Sequence, residues 1–225
     1  MQLADLLHYK TPQFIPAMIT PVIPEHYKGK KADTISEETF DCEEAAANHF
    51  QTVKQRFLNV NGWRDVAGEA TANFSVFTVR GEQVNRPPQE GDYLRIEIPA
   101  PDNEAGEGAD WVQVKRVMQN NIPGEQFMYM EVHPSQNPLT PEDETAHFFD
   151  EEASSTFIIR QLGNKVIAEV HGRNETPNNE DISLKDKIRN TLVAIGAMLG
   201  FSKIQWKSLT NGLVKKDSSA KGVGE

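Results

Sequence analysis

One helix near the end of the chain constrains the fold more than any other segment. Ser183–Gly200 carries apolar residues at i, i+4, i+8, i+11 and i+15, which form one continuous helical stripe. These residues are Leu184, Ile188, Leu192, Ile195 and Leu199. About six segments that alternate between apolar and polar residues, as antiparallel strands do, precede this helix. Because a sheet with one apolar face needs a cover, the pattern predicts that Ser183–Gly200 lies across the sheet.

The predicted strands follow one another through short loops, which favours an antiparallel sheet over a parallel one. The pattern is regular at 93–98, where Leu94 and Ile96 alternate with polar neighbours. The segment around Gly163-Asn164 predicts a hairpin, because a Gly-Asn turn matches the twist of two paired strands. The other predicted strands are at 72–79, 112–114 and 128–132.

Further helices are predicted on both sides of the strands. Thr34–Leu58 begins with Thr34 and Glu37 at the spacing of a capping box, and Asn61-Gly62 ends it. Its predicted buried stripe consists of Ala46, Phe50, Val53 and Phe57. Short helices are also predicted at Pro141–Phe149 and after Gly200, the latter with Trp206, Leu209 and Leu213 on one face.

These elements predict an α+β fold. A curved antiparallel sheet of about six strands carries a long C-terminal helix packed across it. Residues 1–33 are expected to form an extended, proline-rich N-terminal arm, because prolines prevent long helices there. Residues 34–216 then form a single domain, and 217–225, which are small and polar, are expected to form a disordered tail.

Composition excludes several classes of function. The 225 residues include 33 acidic and 23 basic side chains, and a net charge of −10 disfavours binding to nucleic acid. The single cysteine, Cys42, allows no disulfide within the chain, which fits a reducing compartment. The N-terminal residues do not resemble a signal peptide, and no apolar stretch is long enough to span a membrane. The expected location is the cytoplasm.

Two resemblances extend this reading. The stretch 85–96, Asp110-Trp111-Val112 and 171–175 resemble an uncharacterised family of Bacteroidota proteins, which implies a bacterial protein but supplies no site residues. The order of helix, antiparallel strands and long C-terminal helix is similar to the START-like (Bet v 1-like) superfamily. That resemblance implies a sheet that wraps the last helix and leaves a cavity for an apolar ligand. The START-like fold opens with a strand before two short helices, whereas this sequence predicts an arm before one long helix.

Motifs for catalysis or cofactor binding are not found, so no catalytic residue, cofactor or metal is expected. The sequence contains no Gly-x-Ser-x-Gly, no phosphate-binding loop and no dinucleotide fingerprint. His133, His147 and His171 are candidates for a metal site with Glu131, Glu169 or Glu175, but no two of the histidines have helical His-x-x-x-His spacing. Surface or hydrogen-bonded histidines are the favoured interpretation.

The favoured function is a non-enzymatic module that binds an apolar small molecule between the sheet and the C-terminal helix. Methionines repack easily around varied ligands, and polar residues at strand ends often line sites. The expected ligand-binding residues are Met128, Met130, Trp111, His171, Arg173, Leu192 and Ile195. The alternative is a structural or interaction protein with a filled core, whose arm (Phe14, Ile15, Met18, Ile19) engages a partner or a second copy. A third hypothesis is a hydrolase or isomerase that uses His171, Arg173 and Glu175.

Overall fold

An antiparallel sheet with helices against one face forms the framework of the computed structural model, which describes residues 23–68, 71–97, 109–122, 125–140, 149–176 and 203–217. The strands are β1 Lys30–Thr39, β2 Asn73–Phe77, β3 Gln83–Val84, β4 Tyr93–Glu97, β5 Asp110–Ile122, β6 Glu125–Pro134, β7 Ser154–Leu162 and β8 Lys165–Glu175. The helices are α1 Glu43–Leu58, α2 Trp63–Ala67 and α3 at 203–214, with a 3-10 turn at Val60–Gly62. The α+β class with an antiparallel sheet and a C-terminal helix is therefore confirmed.

The strand order is β1-β8-β7-β6-β5-β4-β2-β3, and every neighbouring pair is antiparallel. Among the described residues the sheet is not closed, and β1 and β3 form its two ends. The prediction of about six strands is corrected to eight strands in the part of the chain that the structure describes. The two strands that the sequence pattern does not predict are β1, most of which lies in the predicted helix Thr34–Leu58, and β3, which has only two residues.

The predicted helix at Thr34–Leu58 is wrong in its first third. Lys30–Thr39 is a strand, and α1 begins at Glu43 after Cys42, whose side chain makes no capping hydrogen bond. Thr34 and Ser36 are buried while the residues between and around them are more exposed, which is the period of a strand. Pairing with β8 along almost the whole of β1 outweighs the local capping-box pattern. The predicted end of the helix and its buried stripe are confirmed.

This correction also removes one departure from the START-like order of elements, the absence of an opening strand. The described chain opens with β1, continues through α1 and the short α2, and then forms the remaining strands before α3. A strand before two helices is the opening that the resemblance implies and that the sequence pattern alone did not predict.

One face of the sheet, called the helix-facing side, carries the core. It is defined by Phe74, Val76, Met130, Val132 and Phe157, and α1, α2 and α3 pack against it. Trp63 at the start of α2 lies at the centre, with its ring 5.2 Å from Phe74 and 5.0 Å from Phe157 (ring centroids). The buried face of α3, with Leu209 and Leu213 buried and Trp206 packed beside them, confirms the short helix predicted after Gly200.

Contacts from α1 hold the C-terminal end of α3 in place. The guanidinium of Arg56 donates to the carbonyls of Leu213 (2.9 Å) and Lys215 (2.6 Å), and a ring nitrogen of His49 lies 2.9 Å from the carbonyl of Val214. A cation at a helix C-terminus satisfies carbonyls that have no partner within the helix. α3 is therefore fixed by its last turn.

Several predicted elements lie outside the described residues. They include the helix Ser183–Gly200, the residues 141–148 of the predicted short helix, and 1–22 of the arm. The predicted boundary between arm and domain, at 33/34, falls within β1. The division into arm, domain and tail therefore stays a prediction.

Candidate functional site

The sheet separates the predicted ligand-binding residues into two groups. Met128 and Met130 lie on the helix-facing side, in the core cluster. Trp111, His171 and Arg173 alternate with core residues along their strands and so project from the opposite face, called the outer side. One small molecule cannot contact both groups across an intact sheet. The two remaining predicted residues, Leu192 and Ile195, lie outside the described residues.

The two methionines differ in their surroundings. Met130 is 1% exposed and belongs to the packed core around the aromatic rings. Met128, two residues earlier on β6, also lines a cleft of about 220 Å³ between α1 and the ends of β5 and β6. The cleft is lined by Phe50, Gln51, Lys54, Gln119, Asn120, Asn121, Gln126, Phe127 and Met128. We call it the amide-rimmed cleft, because amide side chains dominate its lining.

Hydrogen bonds order the rim of this cleft. Lys54 on α1 donates from Nζ to Oε1 of Gln119 on β5 (3.1 Å), and Gln51 donates to Gln126 on β6 (3.3 Å). Gln126 in turn donates to Oε1 of Gln161 on β7 (3.3 Å). These bonds tie α1 to three strands, so the rim is a built feature of the fold. Lys54 is the charged residue in the lining.

A row of polar side chains crosses the outer side. Cross-strand register places Asp33 beside His171, His171 beside Thr156, Thr156 beside Glu131, and Glu131 beside Arg116. The row therefore runs across β1, β8, β7, β6 and β5. Residues directly opposite each other on an antiparallel sheet have closely spaced side chains. Local sequence patterns do not predict this row, because it depends on the register of five strands.

His171 lies at the centre of an ionic network and is 5% exposed. Its Nδ1 lies 2.6 Å from Oδ1 of Asp33 and its Nε2 lies 2.8 Å from Oε2 of Glu169. Arg173 NH1 lies 2.7 Å from the same oxygen of Asp33, and Nε of Arg160 lies 2.7 Å from Oε1 of Glu169. Both imidazole nitrogens are thus engaged by carboxylates, which leaves neither of them open to contact a substrate or a metal ion.

Burial raises the pKa of Asp33, but hydrogen bonds from His171 and Arg173 outweigh burial and hold the pKa below its usual value. A second, smaller group surrounds Glu131, whose carboxylate is bonded to His133 (2.8 Å) and accepts from the phenol of Tyr129. The bond from His133 lowers the pKa of Glu131, against the effect of burial. Burial has the larger effect on Tyr129 and raises its pKa, and the hydrogen bond to Glu131 raises the pKa further.

Trp111 is part of neither ionic group. It is 1% exposed and its ring meets that of Phe77 edge-on, with centroids 5.0 Å apart. Such edge-to-face pairs stabilise packing. Trp111 is thus a packed residue of the outer side. It lies on β5, three strands away from His171 on β8.

Glu175 is separated from His171 and Arg173, which are the other two members of the enzyme hypothesis. Asn174 has a positive φ of 56°, and Oε1 of Glu175 occupies the position that a Cβ on Gly172 would take. That position lies on the side of Ala32, opposite to His171. The three residues therefore do not converge around one substrate position.

Burial raises the pKa of Glu175 to about 7, against the favourable charges of Lys30 and Arg173. A carboxyl whose pKa is raised on folding stabilises the folded state in its protonated form, and this advantage is lost as pH rises from about 4.5 through about 7. We expect E175Q to be more stable than the wild type at pH 8, by up to about 3 kcal/mol. The difference should shrink towards zero at pH 4.5.

Urea unfolding followed by circular dichroism at both pH values measures this difference. E44Q, which changes an exposed carboxylate in the first turn of α1, is the control and should show no comparable dependence on pH. A wild type that is more stable than E175Q at pH 8 would contradict the assignment.

Sequence reasoning missed the residues that shape both regions. Asp33, which holds His171, and Lys54, which lies at the cleft, are not among the residues that the sequence predicts for a site, and Glu169 is predicted only as a possible metal ligand. A signal for the cleft exists in the polar run Gln119-Asn120-Asn121 followed by Gln126, because amides cluster there at a hairpin end. Within the described ranges, no group of three His, Cys, Asp or Glu side chains is arranged to hold a metal ion, and Cys42 is exposed as a free thiol.

Comparison with solved structures finds several distant likenesses. A hypothetical protein of Helicobacter pylori has a TM-score of 0.45 at 12% identity, covering 93% of this chain and 97% of its own. Major latex-like protein 151 of Panax ginseng has a TM-score of 0.33 at 9% identity, covering 76% and 96%. Ara h 8.0201 has a TM-score of 0.32 at 11% identity, covering 81% and 100%. The last two are Bet v 1-like proteins.

All three TM-scores are below 0.5, so these likenesses do not identify a shared ligand or activity. No protein-family model and no curated protein matches the chain, and membership of the Bacteroidota family therefore stays a prediction. None of the helices in the described ranges has the length and apolar character needed to cross a membrane.

Proposed function

We propose that this protein binds a small molecule with an apolar body and a polar or anionic end in the amide-rimmed cleft. The observation that carries the proposal is the composition of the cleft. Phe50 and Met128 provide an apolar floor, while Gln51, Gln119 and Lys54 provide donors at the rim. Ligand sites commonly combine an apolar lining with a small number of polar groups that fix orientation.

The dimensions and charge of the cleft define the ligand class. A volume of about 220 Å³ lies below the range of roughly 300–1,000 Å³ typical of drug-sized ligands, so a short chain or a single ring fits best. The ammonium of Lys54 contacts only the neutral amide of Gln119 in the hydrogen bonds of the described residues. A carboxylate on the ligand would provide a stronger, charge-assisted partner than an amide does.

The proposal is for binding without catalysis. Of the described histidines on the outer side, His171 is the most buried, and carboxylates engage both of its nitrogens. The histidine, arginine and glutamate of the enzyme hypothesis lie on both faces of β8. These arrangements favour a binding protein over a hydrolase or isomerase.

Hexanoate is a suitable probe, because it combines a short apolar chain with a carboxylate. With methyl-labelled methionine, we expect the Met128 methyl signal to shift on titration and the Met130 signal to stay nearly unchanged. K54Q should weaken hexanoate binding about 5- to 10-fold, which corresponds to about 1–1.4 kcal/mol, and should leave hexanol binding unchanged.

The control variant K215Q removes an exposed lysine after α3 and should bind hexanoate like the wild type. If Met128 does not shift with millimolar hexanoate or hexanol, the cleft is not a site of this kind. Equal weakening of hexanoate and hexanol by K54Q would show that Lys54 acts through structure and not as a partner of the carboxylate.

Engagement of a partner or a second copy by the N-terminal arm remains the alternative prediction. The residues proposed for that contact, between 14 and 19, lie outside the described residues. Ile23, at the described end of the arm, packs on this chain's own outer side beside Phe127, Tyr129 and Ile158. This contact favours an arm that lies along its own domain.

A further inference from the structure

Three glutamine side chains form a continuous chain of hydrogen bonds along one side of the amide-rimmed cleft. Nε2 of Gln51 on α1 donates to Oε1 of Gln126 on β6 (3.3 Å), and Nε2 of Gln126 donates to Oε1 of Gln161 on β7 (3.3 Å). Nε2 of Gln161 then donates to the carbonyl of Gly163 in the turn between β7 and β8 (2.6 Å). The chain therefore runs from the rim of the cleft to a backbone acceptor.

The buried end of this chain fixes the direction of every bond in it. Gln161 is 1% exposed and lies directly opposite Gln126 in the sheet. A backbone carbonyl can only accept a hydrogen bond, so Gln161 turns its amide nitrogen towards Gly163 and its oxygen towards Gln126. Gln126 then donates with its nitrogen, which leaves its oxygen to accept from Gln51. Reversing any of the three amides would place an oxygen against an oxygen.

The direction of the chain decides which atoms remain available at the rim. The nitrogen of Gln51 is turned towards Gln126, and its carbonyl oxygen accepts no hydrogen bond from the described residues. Lys54 follows three residues later on α1, so the two side chains are neighbours on one helix face. The ammonium of Lys54 donates to Oε1 of Gln119 (3.1 Å), which leaves Nε2 of Gln119 as a second donor. The rim thus presents one acceptor beside two donors.

We propose that the ligand of the amide-rimmed cleft is a hydroxy-substituted carboxylic acid, and that Gln51 selects it by accepting a hydrogen bond from the hydroxyl group. The carboxylate faces the donors of Lys54 and Gln119, and the apolar body lies on Phe50 and Met128. An unsubstituted carboxylate has no hydrogen to offer the oxygen of Gln51, whereas a hydroxyl group has one. This assignment rests on the function proposed above and specifies its ligand further.

The spacing of the rim groups favours a hydroxyl group on the third carbon of the acid. Residues three apart on a helix have Cβ atoms about 5–6 Å apart, so Gln51 and Lys54 contact different parts of the ligand head. A 3-hydroxyl group reaches further from the carboxylate than a 2-hydroxyl group does, and it therefore spans this separation better. Gln161 contacts no ligand in this arrangement. It is a positioning residue, because it sets the direction of the Gln51 amide through Gln126.

The probes are hexanoate and the two enantiomers of 3-hydroxyhexanoate, titrated into the full-length protein while the Met128 methyl signal is followed. One enantiomer should bind about three- to fivefold more tightly than hexanoate, the gain typical of one neutral hydrogen bond at a partly exposed site. Q51L removes the acceptor and should abolish this preference while hexanoate still binds. Q55L, at an exposed glutamine of α1 outside the cleft lining, is the matched control and should keep the preference.

Q161L tests the positioning role, because it removes the anchor of the chain and leaves Gln51 in place. Without the anchor, the amides of Gln126 and Gln51 can take either direction. The preference for the hydroxy acid should therefore fall below about twofold, while the affinity for hexanoate stays within about twofold of the wild type. Circular dichroism verifies that the variant is folded. Equal weakening of hexanoate and the hydroxy acid would show that Gln161 acts only through structure.

Failure of this assignment can be distinguished from failure of the proposed function. If neither hexanol nor any of the three acids shifts the Met128 signal, the cleft is not a site of this kind and both proposals fail. If hexanoate shifts the signal but both enantiomers bind no more tightly than hexanoate, the proposed function stands and the assignment of Gln51 is overturned. A preference that persists in Q51L also overturns it, because the hydroxyl group would then have another partner.

Discussion

Replacing Trp63 by alanine is expected to lower the free energy of unfolding by about 3–5 kcal/mol. Trp63 is 0% exposed, and its indole N–H donates to the carbonyl of Phe57 (3.1 Å). Its ring packs against Phe74 of β2 and Phe157 of β7, so it joins the end of α1 to two strands that are not neighbours in the sheet. Alanine would leave a large cavity and an unpaired carbonyl at the end of α1.

Trp206 provides the matched control. It contacts the same two phenylalanines from α3, with centroids 6.2 Å from Phe74 and 5.4 Å from Phe157, but it is only partly buried. Its replacement by alanine should cost about 1–2 kcal/mol, since the lost area is partly exposed to solvent. Urea unfolding followed by far-ultraviolet circular dichroism compares the two variants without using tryptophan fluorescence.

An equal loss for W63A and W206A would show that Trp63 is not the centre of the core. The loss expected for W63A approaches the total free energy of unfolding of a typical domain, so W63A is expected to populate the unfolded state and W63F is the second variant. It keeps an aromatic ring but loses the indole N–H, and a loss of about 1–3 kcal/mol is expected.

Local patterns predicted the parts of the fold that local interactions determine. Strict alternation identified β4, and the Gly163-Asn164 turn identified the hairpin of β7 and β8, whose register begins at Leu162 and Lys165. The segment from Thr34 to Thr39 is different, because its threonine and acidic residues suit both a helix start and an edge strand. Pairing of Thr34 with Val170, far away in the chain, decides between them.

The candidate site was less predictable than the fold, because it depends on register between strands. Alternation shows that Met128 and Met130 share one face of β6, and that His171 and Arg173 share one face of β8. It does not show whether those two faces are the same. The pairing of Met130 with Phe157, and of Thr156 with His171, places the methionines and the histidine on opposite sides of the sheet.

The ionic network of the outer side leads to the second large expected effect. H171L should lower the free energy of unfolding by about 2–3 kcal/mol at neutral pH. Glu169 is buried and loses one of its two partners, retaining Arg160. Removing the sole partner of a buried charge costs about 3–5 kcal/mol, because the charge is left uncompensated. Glu169 keeps its ion pair with Arg160, so the expected loss is smaller. Asp33 is partly exposed and retains Arg173, so it contributes less.

The dependence on pH distinguishes the network from ordinary packing. The folded-state pKa of Asp33 lies below its usual value, so its contribution is present at neutral pH and is lost as pH falls through that lowered pKa. In H171L one of the hydrogen bonds that lower the pKa is gone, so the pKa of Asp33 should rise. The stability difference between wild type and H171L should therefore narrow in acid, below the usual range of an aspartate.

Chemical unfolding between pH 3 and pH 7, with the Asp33 carboxyl titration followed by nuclear magnetic resonance, tests both expectations. H133L is the control, because His133 is more exposed and has one carboxylate partner, Glu131. It should cost about 1 kcal/mol and leave the titration of Asp33 unchanged. A stability difference for H171L that stays constant over the whole pH range would indicate that His171 acts only by filling space, and that β1 is held to β8 by its backbone ladder without help from the charges.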